Sequence, residues 1–264
     1  QSADITHISN EVSFYEDCPP AVPVRKEMRF CSDPGYIGLF DAAGVDVIEL
    51  TGNHNMDWGV EPFIYSLELY HEHGFQTYGG GKNLEEARRP LIIEHAGTRL
   101  ALLGCNIAGP DNIWATEQTP GAAPCDLDWL TSEVRQLRDE GILPVVTFQH
   151  FEVDDYQPMN LTRQHFQKVA EAGAVIVSGS QAHFPHGFAF YEDSFMHYGL
   201  GNLFFDQMYE GYRREFIDRH VFYDGRYLGV ELLTAMLEDY SRPRPMTPEE
   251  RAEMLSIYFQ ASGW

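Results

Sequence analysis

Residues 45–59 read VDVIELTGNHNMDWG. An apolar run carrying Val45, Val47, Ile48 and Leu50 stops abruptly in Thr51, Gly52, Asn53, His54, Asn55 and Asp57. A buried strand that ends this way is either a polar turn or a strand delivering side chains to a site. The same event recurs along the chain. LPVVTFQ (143–149) runs into His150, Phe151, Glu152, Val153, Asp154 and Asp155; AVIVSG (174–179) runs into Ser180, Gln181, Ala182 and His183; DITHIS (4–9) runs into Asn10 and Glu11. In an α/β sheet the carboxyl ends of the strands share one edge, and ligands bind there. Taken singly, His54 reads as a hydrogen-bonded turn residue and His150 as a half-buried loop residue. Taken together, imidazole and carboxylate donors suit zinc, manganese or iron, two such metals can orient a substrate and activate water, and a histidine beside them can protonate a leaving oxygen. His7, His71, His73, His95 and His165 fall outside this pattern and read as structural or surface residues. Asn160-Leu161-Thr162 matches a glycosylation sequon, a weak signal by itself.

Around these segments, strand-like and helix-like patterns alternate. A short helix is expected over PGYIGLFDAAG (34–44) and a longer one over 60–74, with Phe63, Leu67 and Tyr70 on one face and Gly74 as its stop. RPLIIEH and TRLALLGCN read as a hairpin turning at Ala96-Gly97. Residues 126–141 form the clearest helix, capped by Asp126, striped by Leu127, Leu130, Val134 and Leu137, and ended by Gly141. Another helix follows over 161–173. From His183 onward, HGFAFYEDSFMHYGLGNLFFD and RHVFYDGRYLGVELLTAML read as consecutive strands with Asp224-Gly225 as the best hairpin turn. A last helix begins at Thr247-Pro248. The alternation followed by a β-rich tail predicts one α/β domain over residues 1–264, its sheets covered by helices.

Composition narrows the partners. Of the 264 residues, 44% are hydrophobic, ample for a core; 18 basic against 40 acidic side chains give a formal charge of −22. Such a surface repels nucleic acid and anionic membrane. Lysine occurs only at positions 26, 82 and 168, and no apolar run reaches the length of a membrane span. The four cysteines fall as two local pairs around loops, Cys18 with Cys31 and Cys105 with Cys125. Two disulfides of about 3 kcal/mol each, formed in an oxidising compartment, are the reading, with four free thiols as its alternative.

GVDVIELTGNHNMDWG, YGGGKNLEEARRPLIIEHAGTRLALLGCN, AGAVIVSGSQAHFPHGFAFY and FMHYGLGNLFFDQ together resemble the bacterial capsule-synthesis, CapA/PgsA-type poly-γ-glutamate (PGA_cap) proteins of the calcineurin-like metallophosphatase superfamily. The resemblance runs from about residue 4 to 207. It implies a metallophosphatase-like four-layer α/β/β/α sandwich, a cell-surface or extracellular location and a site at the strand ends. There, Glu11, Asn53, His150, Gln181 and His183 are the implied ligands of one or two divalent metals, manganese, zinc or iron. His54 and Asp154 are the implied catalytic groups, and Asn10, Glu152, Asp155, His186, Asn202 and Asp206 lie in the accompanying motifs.

The departures carry a second expectation. Gln181 stands where the family has a histidine, and Phe151-Glu152 replaces Trp-Gly. The family's first strand, with its Gly-Asp, has no counterpart in these residues, so rearrangement, a homo-oligomer or a strand donated by a partner is expected to cover the sheet there. Three readings therefore compete: a metal-dependent hydrolase of a phosphoester or γ-glutamyl amide, a non-catalytic scaffold with a degenerate metal shell, and a general calcineurin-like phosphoesterase unrelated to capsules. The acidic surface disfavours a polyanion such as poly-γ-glutamate as a direct partner unless cations bridge the two.

Overall fold

The structure is a computed structural model that describes residues 3–20, 28–240 and 242–264. Part of the Pro-rich loop between Cys18 and Cys31, including Lys26, lies outside the described residues. The chain divides into two compact units, residues 1–91 with 103–125, and residues 92–102 with 126–264.

The first unit is built on a parallel sheet of β1 (His7–Ser9), β2 (Val47–Glu49) and β3 (Gln76–Tyr78), with β2 in the centre. All three residues of β2 are buried, as the uninterrupted apolar run of a central parallel strand requires. Helix α1 (Gly38–Ala43) is led in by a 3₁₀ turn, Pro34–Ile37, that starts where the Asp33 carboxylate accepts the Gly35 N–H, and it ends at Gly44 with φ 68°. Helix α2 (Val60–Glu72) buries Phe63, Ser66 and Tyr70, while Leu67 packs only partly. The core joins Phe14, Phe40, Ile48, Leu50, Tyr70 and Phe75, each side chain contributing roughly 1.5–3 kcal/mol by leaving water. Three short pieces were not expected from the pattern: β3, helix α3 (Leu84–Arg88) capped by Asn83, and the pairing of β4 (Gly80–Gly81) with β7 (Gly121–Ala122). Each is too short to show a period. Both disulfides lie in this unit, Cys18–Cys31 with Cα atoms 5.9 Å apart and Cys105–Cys125 at 4.9 Å, so all four cysteines are paired.

The second unit carries a six-stranded sheet in the order β10-β11-β9-β8-β6-β5. Its strands are β5 (Leu91–His95), β6 (Thr98–Asn106), β8 (Leu143–Gln149), β9 (Ile176–Gly179), β10 (Phe188–Tyr191) and β11 (Ser194–His197), with residues 103–106 of β6 assigned to the first unit. The β5–β6 turn places Ala96 and Gly97 at φ 46° and 79°, the pair of positive values a type I′ hairpin needs. Helix α4 (Leu127–Asp139) starts where the Asp126 carboxylate accepts the N–H groups of Asp128 and Trp129, and it buries Leu130, Val134 and Leu137. Helix α5 (Asn160–Glu171) buries Phe166 and Val169. A second, antiparallel sheet follows, β12 (Arg214–Tyr223), β13 (Arg226–Glu238) and β14 (Arg242–Pro245), turning at Asp224-Gly225 with φ 48° and 69°. Helix α6 (Pro248–Ala261) opens with a capping box between Thr247 and Glu250 and packs Met254 and Tyr258 on Phe216. Residues 199–206 form a loop, not the continuation of a strand: Gly201 lies at φ 85° and the Asn202 side chain is tied to Gln207 and to the Tyr212 carbonyl. Among the described residues no helix is long and apolar enough to cross a membrane.

Candidate functional site

In the first unit, β2 delivers the chain into a loop whose backbone is held by buried amides. Asn106, fully buried at the end of β6, donates to the Thr51 carbonyl at 2.7 Å, while its own oxygen accepts from Gly109 N–H and Trp114 Nε1. Asn55 donates to the carbonyls of Asn10 and Leu50. Asn10 reaches the Tyr70 hydroxyl at 2.6 Å and the Val12 carbonyl at 2.8 Å. Gly52 lies so close to Glu11 that a Cβ there would collide with the Glu11 backbone. The segment after β1 and the loop after β2 are thereby locked together, with Val12 bridged to His54.

His54 is the chemical product of this packing. Its Nδ1 bonds Asp57 Oδ2 at 2.8 Å. Burial alone would lower its pKa, but the Asp57 hydrogen bond, the Asp57 charge and the Glu11 charge overcome that and raise it above the ordinary histidine value. With Nδ1 turned to the carboxylate, Nε2 is the nitrogen presented for proton transfer. Asp57 is itself fixed: Oδ2 accepts the Phe30 N–H at 2.7 Å, and its carbonyl accepts from Arg29 Nε and Nη2. Phe30 meets the His54 ring edge-on at 4.7 Å, and Arg29 lies 4.3 Å over Trp58. The segment closed by Cys18–Cys31 thus frames the imidazole. Asp57, three residues after His54, is the hydrogen-bond partner that the sequence pattern did not single out.

The second unit treats its polar strand ends differently. His150 is buried; its Nδ1 accepts the Phe151 N–H at 2.8 Å and faces the Thr162 hydroxyl at 3.1 Å, and its Nε2 faces His165 Nδ1 at 3.0 Å. Because Nδ1 accepts a backbone proton, the neutral ring carries its proton on Nε2 and donates it to His165. Burial, and then the neighbouring His165, push the His150 pKa down to about 4. Gln181 is bonded to the buried Gln149 amide, whose oxygen accepts the Ser180 hydroxyl.

His183 is held more openly. Its backbone N–H donates to Glu152 Oε2 at 2.9 Å, Phe205 stacks on its ring, and its Nδ1 lies 2.7 Å from Asn202 Oδ1. The Asn202 amide nitrogen donates to Gln207 and to the Tyr212 carbonyl, so its oxygen faces His183 and the imidazole is protonated at Nδ1. Its Nε2 therefore carries the lone pair. Asp154 accepts the Tyr212 hydroxyl, a bond that chiefly pushes the Tyr212 pKa up to about 12. Asp155 caps its own turn by accepting the Gln157 N–H, His186 donates to the Val153 carbonyl, and Asp206 is exposed.

Each unit thus gathers part of the expected set, Asn10, Glu11 and His54 in the first, and Glu152, His183 and Asn202 in the second. Asn53 lies in the turn beside His54. Among the described residues no three His, Cys, Asp or Glu side chains are grouped to hold a metal ion. The His150 lone pair is turned to a backbone N–H, and Gln181 offers an amide where an imidazole is the better ligand. Bonded in this way, His150 and Gln181 do not fit the ligand roles expected of them.

The architecture is a mixed α/β fold of the metallophosphatase-like kind. NAD nucleotidase from Haemophilus influenzae is similar to this chain in fold, with a TM-score of 0.50 and 11% identity over 86% of this chain and 48% of that one. The chain belongs to the family described as bacterial capsule synthesis protein PGA_cap, whose model matches residues 1–207. It is 27% identical to the capsule biosynthesis protein CapA of Bacillus anthracis, covering 62% of this chain and 41% of that protein. It is 24% identical to the PGA biosynthesis protein CapA of Bacillus subtilis, covering 69% of this chain and 48% of that protein. The chain therefore spans less than half the length of these curated relatives.

Proposed function

We propose that this chain works in capsule-polymer biosynthesis outside the cell, as a hydrolase of a phosphoester or a γ-glutamyl amide in which His54 moves the proton. The observation that carries this reading is the 2.8 Å bond between His54 Nδ1 and Asp57. It orients the ring, raises its proton affinity and presents Nε2, the arrangement a general acid needs to protonate a leaving oxygen or nitrogen. Glu11 adds negative charge to the same imidazole. His183 Nε2 and the Glu152 carboxylate are the groups of the second unit assigned to substrate or metal. The paired cysteines support an oxidising location.

A scaffold reading has its own specific support: His150 and Gln181 are bonded to His165 and Gln149. The two readings are separated by elemental analysis of protein purified without chelator, run beside turnover assays on an aryl phosphate ester and a γ-glutamyl oligomer. The hydrolase predicts turnover that falls at least 100-fold in His54→Ala, and one or two transition metals per chain that are lost in His183→Ala. Folded protein with neither metal nor turnover after soaking in manganese or zinc leaves the scaffold.

A further inference from the structure

A cavity of about 40 Å³ opens in the second unit between α5, β10 and the end of α6. That is roughly three times the space one water requires. Pro158, Gly187, Phe188, Arg163, Tyr198 and Ser262 form most of its wall. Arg163 belongs to the first turn of α5. Its Nη2 donates to Gln157 at 3.1 Å, but its Nε is buried without a partner among the described residues. A guanidinium N–H out of reach of water and of protein acceptors costs stability unless something in the cavity accepts it. The charge is close enough to act on the Tyr198 hydroxyl.

Two further features favour an anion. Ser262 Oγ accepts the Phe188 N–H at 2.9 Å, which leaves the hydroxyl proton to be donated. Any side chain at Gly187 would collide with that oxygen, so the glycine admits Ser262 to the wall. Helix α5, twelve residues long, has no side-chain cap at Met159, and its N-terminal N–H groups carry partial positive charge. Pro158, Phe188, Ala189 and Ala261 supply the apolar part of the wall, which suits a short hydrocarbon and disfavours a fully hydrated phosphate.

We propose that this cavity binds a small aliphatic carboxylate, its headgroup on Arg163 and Ser262 and its alkyl part against Phe188 and Pro158. Arg163 Nε, the donor left without a partner, is the group that a carboxylate oxygen would take up in a charge-assisted hydrogen bond.

The test is titration of the full chain with propionate at constant ionic strength, followed by calorimetry and by the melting temperature, with sodium chloride and inorganic phosphate as competitors. It needs no enzymatic activity. Saturable propionate binding is expected, weakened at least tenfold in Arg163→Gln and several-fold in Ser262→Ala, with chloride and phosphate competing poorly. If Arg163→Gln does not fold, Arg163→Lys, which keeps the charge and loses the Nε donor, is expected to weaken binding as well. The proposal is overturned if wild-type protein shows no saturable propionate binding, if the folded variants bind as wild type does, or if phosphate binds more tightly than propionate.

Discussion

His54 and His150 follow buried strands, and both are held by hydrogen bonds, yet their chemistry diverges. At His54 the fixed nitrogen faces a carboxylate, so the ring gains proton affinity and keeps Nε2 for other work. At His150 one nitrogen accepts a backbone N–H and the other faces a second imidazole, so the ring is held neutral and both nitrogens serve the fold. A histidine at the end of a strand is thus only a candidate. The group that meets its second nitrogen decides whether it can act.

The sharpest way to break this contrast is to remove the Cys18–Cys31 bond. Cys18→Ser with Cys31→Ser is expected to cost about 3 kcal/mol in urea denaturation. It should also release Phe30 from Asp57 and alter the NMR titration of His54, while that of His150 stays unchanged. Unchanged titration of both histidines would show that the disulfide-bounded segment does not frame His54.

Acid gives the next effect. The His150 pKa lies below its unfolded value, at about 4. Its stabilising contribution is therefore complete above the ordinary histidine range and is lost as the pH falls through 4, a loss of about 3 kcal/mol. His220, likewise pushed down to about 4 mainly by burial, adds a loss of the same sign. His54 has the opposite sign: its raised pKa gives a contribution complete below the unfolded value and lost as the pH rises through the folded one. Urea midpoints measured from pH 4 to pH 8 check this, and His150→Asn should flatten the acid limb. The mildest change is Asp57→Asn. It should cost about 1 kcal/mol and move the His54 titration downward, and a fixed His54 titration would remove Asp57 from the account.

Much of the scaffold was legible because it rests on local chemistry. Ala96-Gly97 and Asp224-Gly225 announce hairpins through positive φ, and Asp126 and Thr247 announce helices through their caps. The two-residue β4–β7 pair carries no such signal because its partners lie about forty residues apart, and the Arg-Pro-rich β14 carries none because proline is uncommon in strands, although its partner β13 directly precedes it. The strand predicted through residues 199–206 failed because Asn202 finds three polar partners in a loop. At the site, His54 and His183 were legible as residue types following strands. Their tautomers were not, since these depend on Asp57 and Asn202, and the bond from His150 to His165 is a tertiary event that leaves no mark on spacing.

Gly52 has a consequence for how this protein would look in a saturation mutagenesis experiment. Its α-carbon faces the Glu11 backbone with no room for a methyl group, so even alanine must push apart the two segments that carry Glu11 and His54. A survey of tolerated substitutions would then rank position 52 beside the catalytic candidates, although it has no side chain with which to touch a substrate. Intolerance there would report the distance between two stretches of main chain.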